Sequence, residues 1–213
     1  MESPQVDHPW YCHLDLSRTS DSTGIALGYV DHWKNGRPQI HVAGILEVPP
    51  LPGYVVPWDA IMLFLFRLSK IVPLYVVSTD QLGYHYLAEQ LVPYGYKIAR
   101  ISDNPRSEIY HNFLNTLLEG DLSIARHDKT LSELLALNVD EKTGKVEKPS
   151  GGSKDCVDAL VGLVTLMKSL PAHRHEHRSW IKPTPPEQTR SEHGHYQVVE
   201  NSGRRLGSRI TLV

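Results

Sequence analysis

The sequence predicts an α/β domain built on a mixed five-stranded sheet, three antiparallel strands followed by two parallel ones, flanked by helices. Three observations predict it. Before residue 50 the chain holds three runs suited to strands and no helical period. From Trp58 onward it alternates helix, strand, helix, strand, helix, the order that lays parallel strands side by side. Two of the strands end in an aspartate, and a late apolar helix begins with two more.

Composition sets the bounds. A length of 213 residues suits one domain with an extension, since domains run to roughly 100–200 residues. With 40% hydrophobic residues there is material for a real core. A net charge of −2 excludes a polycation, but the charge is unevenly placed. From Pro171 there are seven Lys/Arg, four Asp/Glu and five His, whereas the part before it carries fifteen Lys/Arg and twenty Asp/Glu. An acidic body with a mildly basic tail fits a nucleic-acid enzyme. Three spans follow: an N-terminal arm over 1–9, a catalytic domain over 10–170, and a His/Pro/Arg-rich tail over 171–213 with little fixed structure. The N-terminus is polar and carries Pro4 and Pro9, unlike a signal peptide. The most apolar run, Ala60 to Phe66, is too short to cross a bilayer. Cys12 and Cys156 sit among apolar residues and read as buried thiols of a reducing compartment. A soluble cytosolic protein is expected.

The elements follow in order. Trp10 to Leu16 alternates, with Trp10, Cys12, Leu14 and Leu16 to one face and Tyr11, His13 and Asp15 to the other. Gly24 to Asp31 and Gln39 to Val48 are the next two strands, and Asn35-Gly36 between them suits a tight hairpin turn. Four prolines make 49–57 a loop. Trp58 to Lys70 is helical, with Ile61, Leu65 and Leu68 on one face. Leu74 to Thr79 is a continuous apolar run, a strand buried on both faces. Tyr84 to Tyr94 is a helix, Lys97 to Ile101 a strand, and Arg106 to Glu119 a helix ending near Gly120. Leu122 to Ala125 is a short strand or an extended segment. A helix over Lys129 to Asn138, an exposed hairpin over Val139 to Lys148, a joint at 149–152 and a helix over Asp155 to Leu170 complete the domain.

In such a sheet the first and fourth strands can lie side by side and parallel. Asp15 then stands near the C-terminal end of one and Asp80 at the C-terminal end of its neighbour. Ligands bind at the carboxyl ends of strands in open α/β sheets, and neighbouring strands are about 4.8 Å apart. Each acid alone has an ordinary reading: Asp15 bonding a turn, Asp80 capping the next helix, Asp155 and Asp158 placed well at a helix N-terminus. Carboxylates at the ends of apolar runs are costly unless paired or holding a metal. If the three places meet, they form an oxygen-rich site for Mg²⁺ or Mn²⁺, the chemistry of a metal-dependent phosphodiesterase.

Three blocks carry a resemblance to a known family: Asp15-Leu16-Ser17 with Asp21 and Gly24, Ser78-Thr79-Asp80, and the run from Lys145 through Pro149-Ser150-Gly151-Gly152-Ser153-Lys154-Asp155 to Asp158-Ala159-Leu160. The chain resembles the nuclease domain of the large terminase subunit of tailed bacteriophages, within the RNase H-like superfamily. The last block is the most specific, since terminase nuclease domains often end with small residues and Lys-Asp-x-x-Asp-Ala. The resemblance covers about Trp10 to Leu170 and implies an RNase H-like fold. It implies two divalent ions held by Asp15, Asp80 and either Asp155 or Asp158, with Asp21 assisting. It further implies an endonuclease that cuts concatemeric phage DNA during packaging and leaves 5′-phosphate and 3′-hydroxyl ends.

Its implied partners are double-stranded DNA, a packaging ATPase and the portal, in the cytoplasm of a bacterial host, with no membrane. Arg18, Arg106, Lys148 and Lys154 are candidate phosphate contacts, and the hairpin with Lys142 and Lys145 is a candidate groove contact. His85 is expected to be structural, and the His-rich run 173–177 a solvated stretch. No Gly-x-x-x-x-Gly-Lys-Ser/Thr phosphate loop occurs. The chain is therefore expected to be an excised domain, a split-gene product or a relative that works alone. A Holliday-junction resolvase of the same fold and a non-catalytic RNase H-like docking module are the alternatives.

Overall fold

The structure, a computed structural model, describes residues 8–17, 22–51, 54–101, 108–140, 142–170, 187–190 and 196–199. In chain order it holds β1 (Trp10–Asp15), β2 (Thr23–Lys34), β3 (Arg37–Val48), α1 (Trp58–Leu68), β4 (Leu74–Thr79), α2 (Gln81–Leu91), β5 (Lys97–Arg100) and α3 (Glu108–Leu118). There follow β6 (Leu122–Ile124), α4 (Asp128–Ala136), the two-residue strands β7 (Asn138–Val139) and β8 (Val146–Glu147), and α5 (Asp155–Ser169). Within the span read as an unstructured tail, β9 (Glu187–Arg190) pairs antiparallel with β10 (Tyr196–Val199). The His-rich run and the rest of that span lie outside the described residues.

The sheet has six strands, in the order β5-β4-β1-β2-β3-β6. The expected five are present: β1, β2 and β3 form an antiparallel meander, and β4 and β5 run parallel to β1. The sixth is the three-residue β6, which runs parallel to β3 at the opposite edge. Ion pairing secures it. The Asp121 carboxylate, 4% exposed, accepts from Arg37 Nε at 3.0 Å and Gln39 Nε2 at 2.8 Å, and its carbonyl accepts from the Ile40 N–H.

β2 and β3 are longer than the alternation suggested, because the hairpin zips up to the Lys34–Arg37 pair. Asn35 (φ 51°) and Gly36 (φ 76°) make the turn, both left-handed as a two-residue hairpin requires.

The alternation of β1 divides the core in two. Cys12, Leu14 and Leu16 face a cluster with Ile61 and Leu65 of α1 and Leu87 and Leu91 of α2. Tyr11 faces the other cluster, which is dominated by α5. That helix is buried on nearly every side from Cys156 to Met167, as expected of a helix apolar all round. Both cysteines are buried, and burial pushes their thiols up to about 12. No helix among the described residues is long and apolar enough to cross a membrane.

Candidate metal centre

The backbone decides where the acids stand. β1 and β4 pair in parallel through Leu14 and Thr79, so the residues that follow, Asp15 and Asp80, stand at the carboxyl ends of two neighbouring strands. The start of α5 comes to the same place because of Gly24, which pairs with Asp15 across β1 and β2. A Cβ on Gly24 would lie 1.9 Å from the Asp155 carbonyl oxygen. The bare backbone therefore lets the N-terminus of α5 rest on the strand. One turn along, Asp158 reaches a cavity of about 170 Å³ that is also lined by Asp15, Asp80, His13, Tyr110 and Lys154.

Each acid has its own partners. One oxygen of Asp80, Oδ1, accepts from the Gly83 N–H at 2.9 Å and so caps α2. That cap starts α2 at Gln81, earlier than the expected Tyr84. Capping and lining the cavity are compatible, since a carboxylate offers two oxygens. Asp158 accepts from the Tyr110 hydroxyl and from Lys154 Nζ, at 3.1 Å to Oδ1 and 2.7 Å to Oδ2.

Burial holds the Asp15 carboxyl well above the usual carboxylate range. The charges of Asp158, Asp155 and Asp80 push it further, and Lys154 opposes them. Burial and the Asp158 charge likewise keep the Tyr110 phenol protonated, so its hydroxyl donates to Asp158 while its oxygen accepts from Lys154 Nζ at 3.3 Å. His13 lies under the cavity with Nδ1 2.8 Å from Ser78 Oγ, and burial lowers its pKa to about 3. It is neutral and adds no positive charge.

Asp155 and Asp158, the alternatives the sequence left open, stand differently. Asp158 lines the cavity, whereas Asp155 Oδ2 accepts from Ser153 Oγ at 2.8 Å, to one side of it. On that side stands Glu133 of α4, 4% exposed, whose Oε1 lies 2.8 Å from the same Ser153 Oγ and whose Oε2 accepts from the Val157 N–H at 3.1 Å. Glu133 caps α5 from another helix, and Lys129 Nζ lies 3.8 Å from it.

Lys154, expected to face phosphate, turns inward to Asp158. Lys148 is exposed just beyond β8. Asp21, Arg18 and Arg106 lie outside the described residues. His85 is exposed on α2, edge-on to Tyr84 and away from the cavity lining.

Sequence reasoning missed Glu133, Tyr110 and the environment of His13. They arrive by the packing of α3, α4 and α5, which no spacing encodes. The inward turn of Lys154 did have a signal, its i,i+4 spacing to Asp158.

The donor set fits a hard divalent cation: carboxylate oxygens, no sulfur and a neutral imidazole below. A partly buried Asp15 ringed by like charges gains most from such a counter-ion. Among the described residues, no three His, Cys, Asp or Glu side chains are drawn tightly enough to close a metal cage. Asp158 is held by Lys154 and Tyr110, and Asp80 by the Gly83 N–H.

Sheet order, strand directions and the helix across the sheet define an RNase H-like fold. More narrowly, the fold is that of the nuclease domains of large terminase subunits. The large terminase nuclease of the thermophilic phage G20c is 17% identical, with a TM-score of 0.58 over 75% of this chain and 82% of that one. The large terminase of bacteriophage HK97 is 13% identical, with a TM-score of 0.59 over 75% of this chain and 39% of that longer one. The g2p nuclease domain of bacteriophage SPP1, solved with bound Mn, is 13% identical, with a TM-score of 0.51 over 78% and 89%. No family model and no curated protein sequence matches the chain.

Proposed function

We propose that the chain is a metal-dependent DNA endonuclease that cuts concatemeric phage DNA during genome packaging. The observation that carries the reading is the meeting of Asp15, Asp80 and Asp158 at one cavity, at the carboxyl ends of neighbouring parallel strands. The fold shared with terminase nucleases, one of them solved with bound Mn, supports the choice of chemistry.

Asp15, Asp80 and Asp158 would hold Mg²⁺ or Mn²⁺, with Asp155 and Asp21 as further ligands to a second ion. A pair of such ions supplies an activated water and a neutralised leaving oxygen in phosphodiester hydrolysis. The protein's part is to fix the carboxylates. Gly24 seats α5, the Asp80 cap orients one carboxylate, and Tyr110 donates to another. His13 and Ser78 fill the floor without charge. Arg18, Arg106, Lys148 and Lys154 are the proposed phosphate contacts, and the β7–β8 hairpin a further contact with double-stranded DNA. A packaging ATPase and the portal are the proposed protein partners, and residues 10–170 the nuclease domain.

The test is nicking of supercoiled plasmid with Mn²⁺, comparing wild type with Asp80→Ala. Loss of a ligand worth several kcal/mol should slow relaxed-circle formation by about a hundredfold or more. Equal cutting by both, or no cutting by a folded wild type at any Mn²⁺ concentration, would assign the domain to docking instead.

A further inference from the structure

We infer that Lys154 is the built-in counter-ion of the acid cluster: its ammonium clasps Asp158 in the metal-free protein and leaves Asp158 when a divalent cation takes the carboxylate. The inference rests on reading the cavity as a metal centre, and adds to it which group balances the acids and what cation binding must displace.

The geometry is specific. Lys154 Nζ reaches both oxygens of Asp158, at 2.7 and 3.1 Å, and lies 3.3 Å from the Tyr110 hydroxyl. A cation entering the cavity meets a carboxylate whose two oxygens already face an ammonium. Among the described residues, Lys154 is the cation that opposes the three carboxylates acting on Asp15.

Its place in the chain points the same way. Lys154 is the N-cap residue of α5, at φ −142° and ψ 15°, and its side chain makes no capping hydrogen bond. A positive charge at the positive end of a helix dipole is unfavourable, and lysine is a poor cap. Helix stability therefore argues against a lysine at this position. A local rule broken beside a candidate site marks a functional constraint, and the constraint here is the cluster of acids.

Lysine suits an exchangeable role. Its ammonium is a point charge on a flexible stem, without the planar fork that locks arginine to a carboxylate. The side chain is 25% exposed, so the mouth of the cavity is open to it once displaced. From there the same ammonium can meet a phosphate.

The test uses the full chain as wild type, Lys154→Met and Lys154→Arg. Mn²⁺ binding is read by the electron paramagnetic resonance of unbound Mn²⁺, and melting temperature is measured with EDTA and with saturating Mn²⁺. Removing a unit charge within ion-pair distance of the ligand should tighten Mn²⁺ binding by about tenfold or more, while Lys154→Arg, whose fork holds the carboxylate more firmly, should bind Mn²⁺ more weakly than wild type. Lys154→Met should melt lower only in EDTA, whereas a residue with a merely structural role would lower both melting points alike.

A measurement on wild type alone stands apart from the fate of the variants: reductive methylation of Lys154, followed by mass spectrometry, should rise when Mn²⁺ is added. Wild type that binds Mn²⁺ with Lys154 equally reactive in both states, or Lys154→Met that binds no tighter, overturns the counter-ion and leaves the metal centre standing. A folded wild type that binds no Mn²⁺ overturns both.

Discussion

Under the cavity, a histidine and a glycine occupy one another's space. A Cβ on Gly162 of α5 would lie 2.2–2.6 Å from the His13 ring. That ring is held in place, 5% exposed and bonded to Ser78 Oγ. Neither side can retreat, so Gly162→Ala is overpacking against a fixed neighbour, which costs about 1–3 kcal/mol. Thermal melting should show this loss. His13→Ala should then remove much of the penalty, because residues in contact are not additive; a cycle in which the two losses simply add would refute the clash. Individual residues were unequally legible in the sequence. Asp15 and Asp80 stand out because each closes an apolar run, which sets it at the carboxyl end of its strand. Gly162 does not stand out: nothing in Val161-Gly162-Leu163 announces that an imidazole from residue 13 needs the space.

At the scale of elements, the site depends on how α5 lands on β2. Gly24 is the point of contact, and the atom it admits is the Asp155 carbonyl oxygen. Backbone cannot move aside as a flexible side chain can. Gly24→Ala should therefore push the first turn of α5 off the sheet and carry Asp155 and Asp158 with it. The expected result is a fall in melting temperature together with weaker Mn²⁺ binding, each measurable on the purified chain. An unchanged Mn²⁺ affinity in a folded variant would mean that α5 is positioned from elsewhere, for example by the Glu133 cap. The meander and the β-α order were legible because period, turn residues and helix length agree over many residues. β6 was not: three residues give no alternation to read, and its edge position is secured by Asp121, Arg37 and Gln39 from distant parts of the chain. The start of α2 was legible from the cap and not from the period: Asp80 offers itself as a cap in the sequence, and α2 begins directly after it, three residues ahead of the expected Tyr84.

On the scale of the molecule, the proposed function assigns stability and DNA affinity to different parts of the chain. Among the described residues both hydrophobic clusters draw only on the span from Trp10 to Leu170. The tail that follows brings seven Lys/Arg and five His. The body carries more acids than bases, with a carboxylate cluster where the proposed DNA substrate would come, so on that proposal long-range attraction to DNA is supplied by cations set apart from the cavity. A chain ending at Leu170 should therefore melt within a few degrees of the full chain and bind Mn²⁺ as well. Its affinity for plasmid should be weaker. The dependence of log affinity on log salt should also be flatter, by about 0.9 for each tail cation that sits on a duplex phosphate. Filter binding across a salt series measures both quantities. A collapse in melting temperature would place the tail within the core. An unchanged affinity and slope would move DNA attraction to the body, to Lys148 and the β7–β8 hairpin, and leave the tail to a protein partner such as the portal.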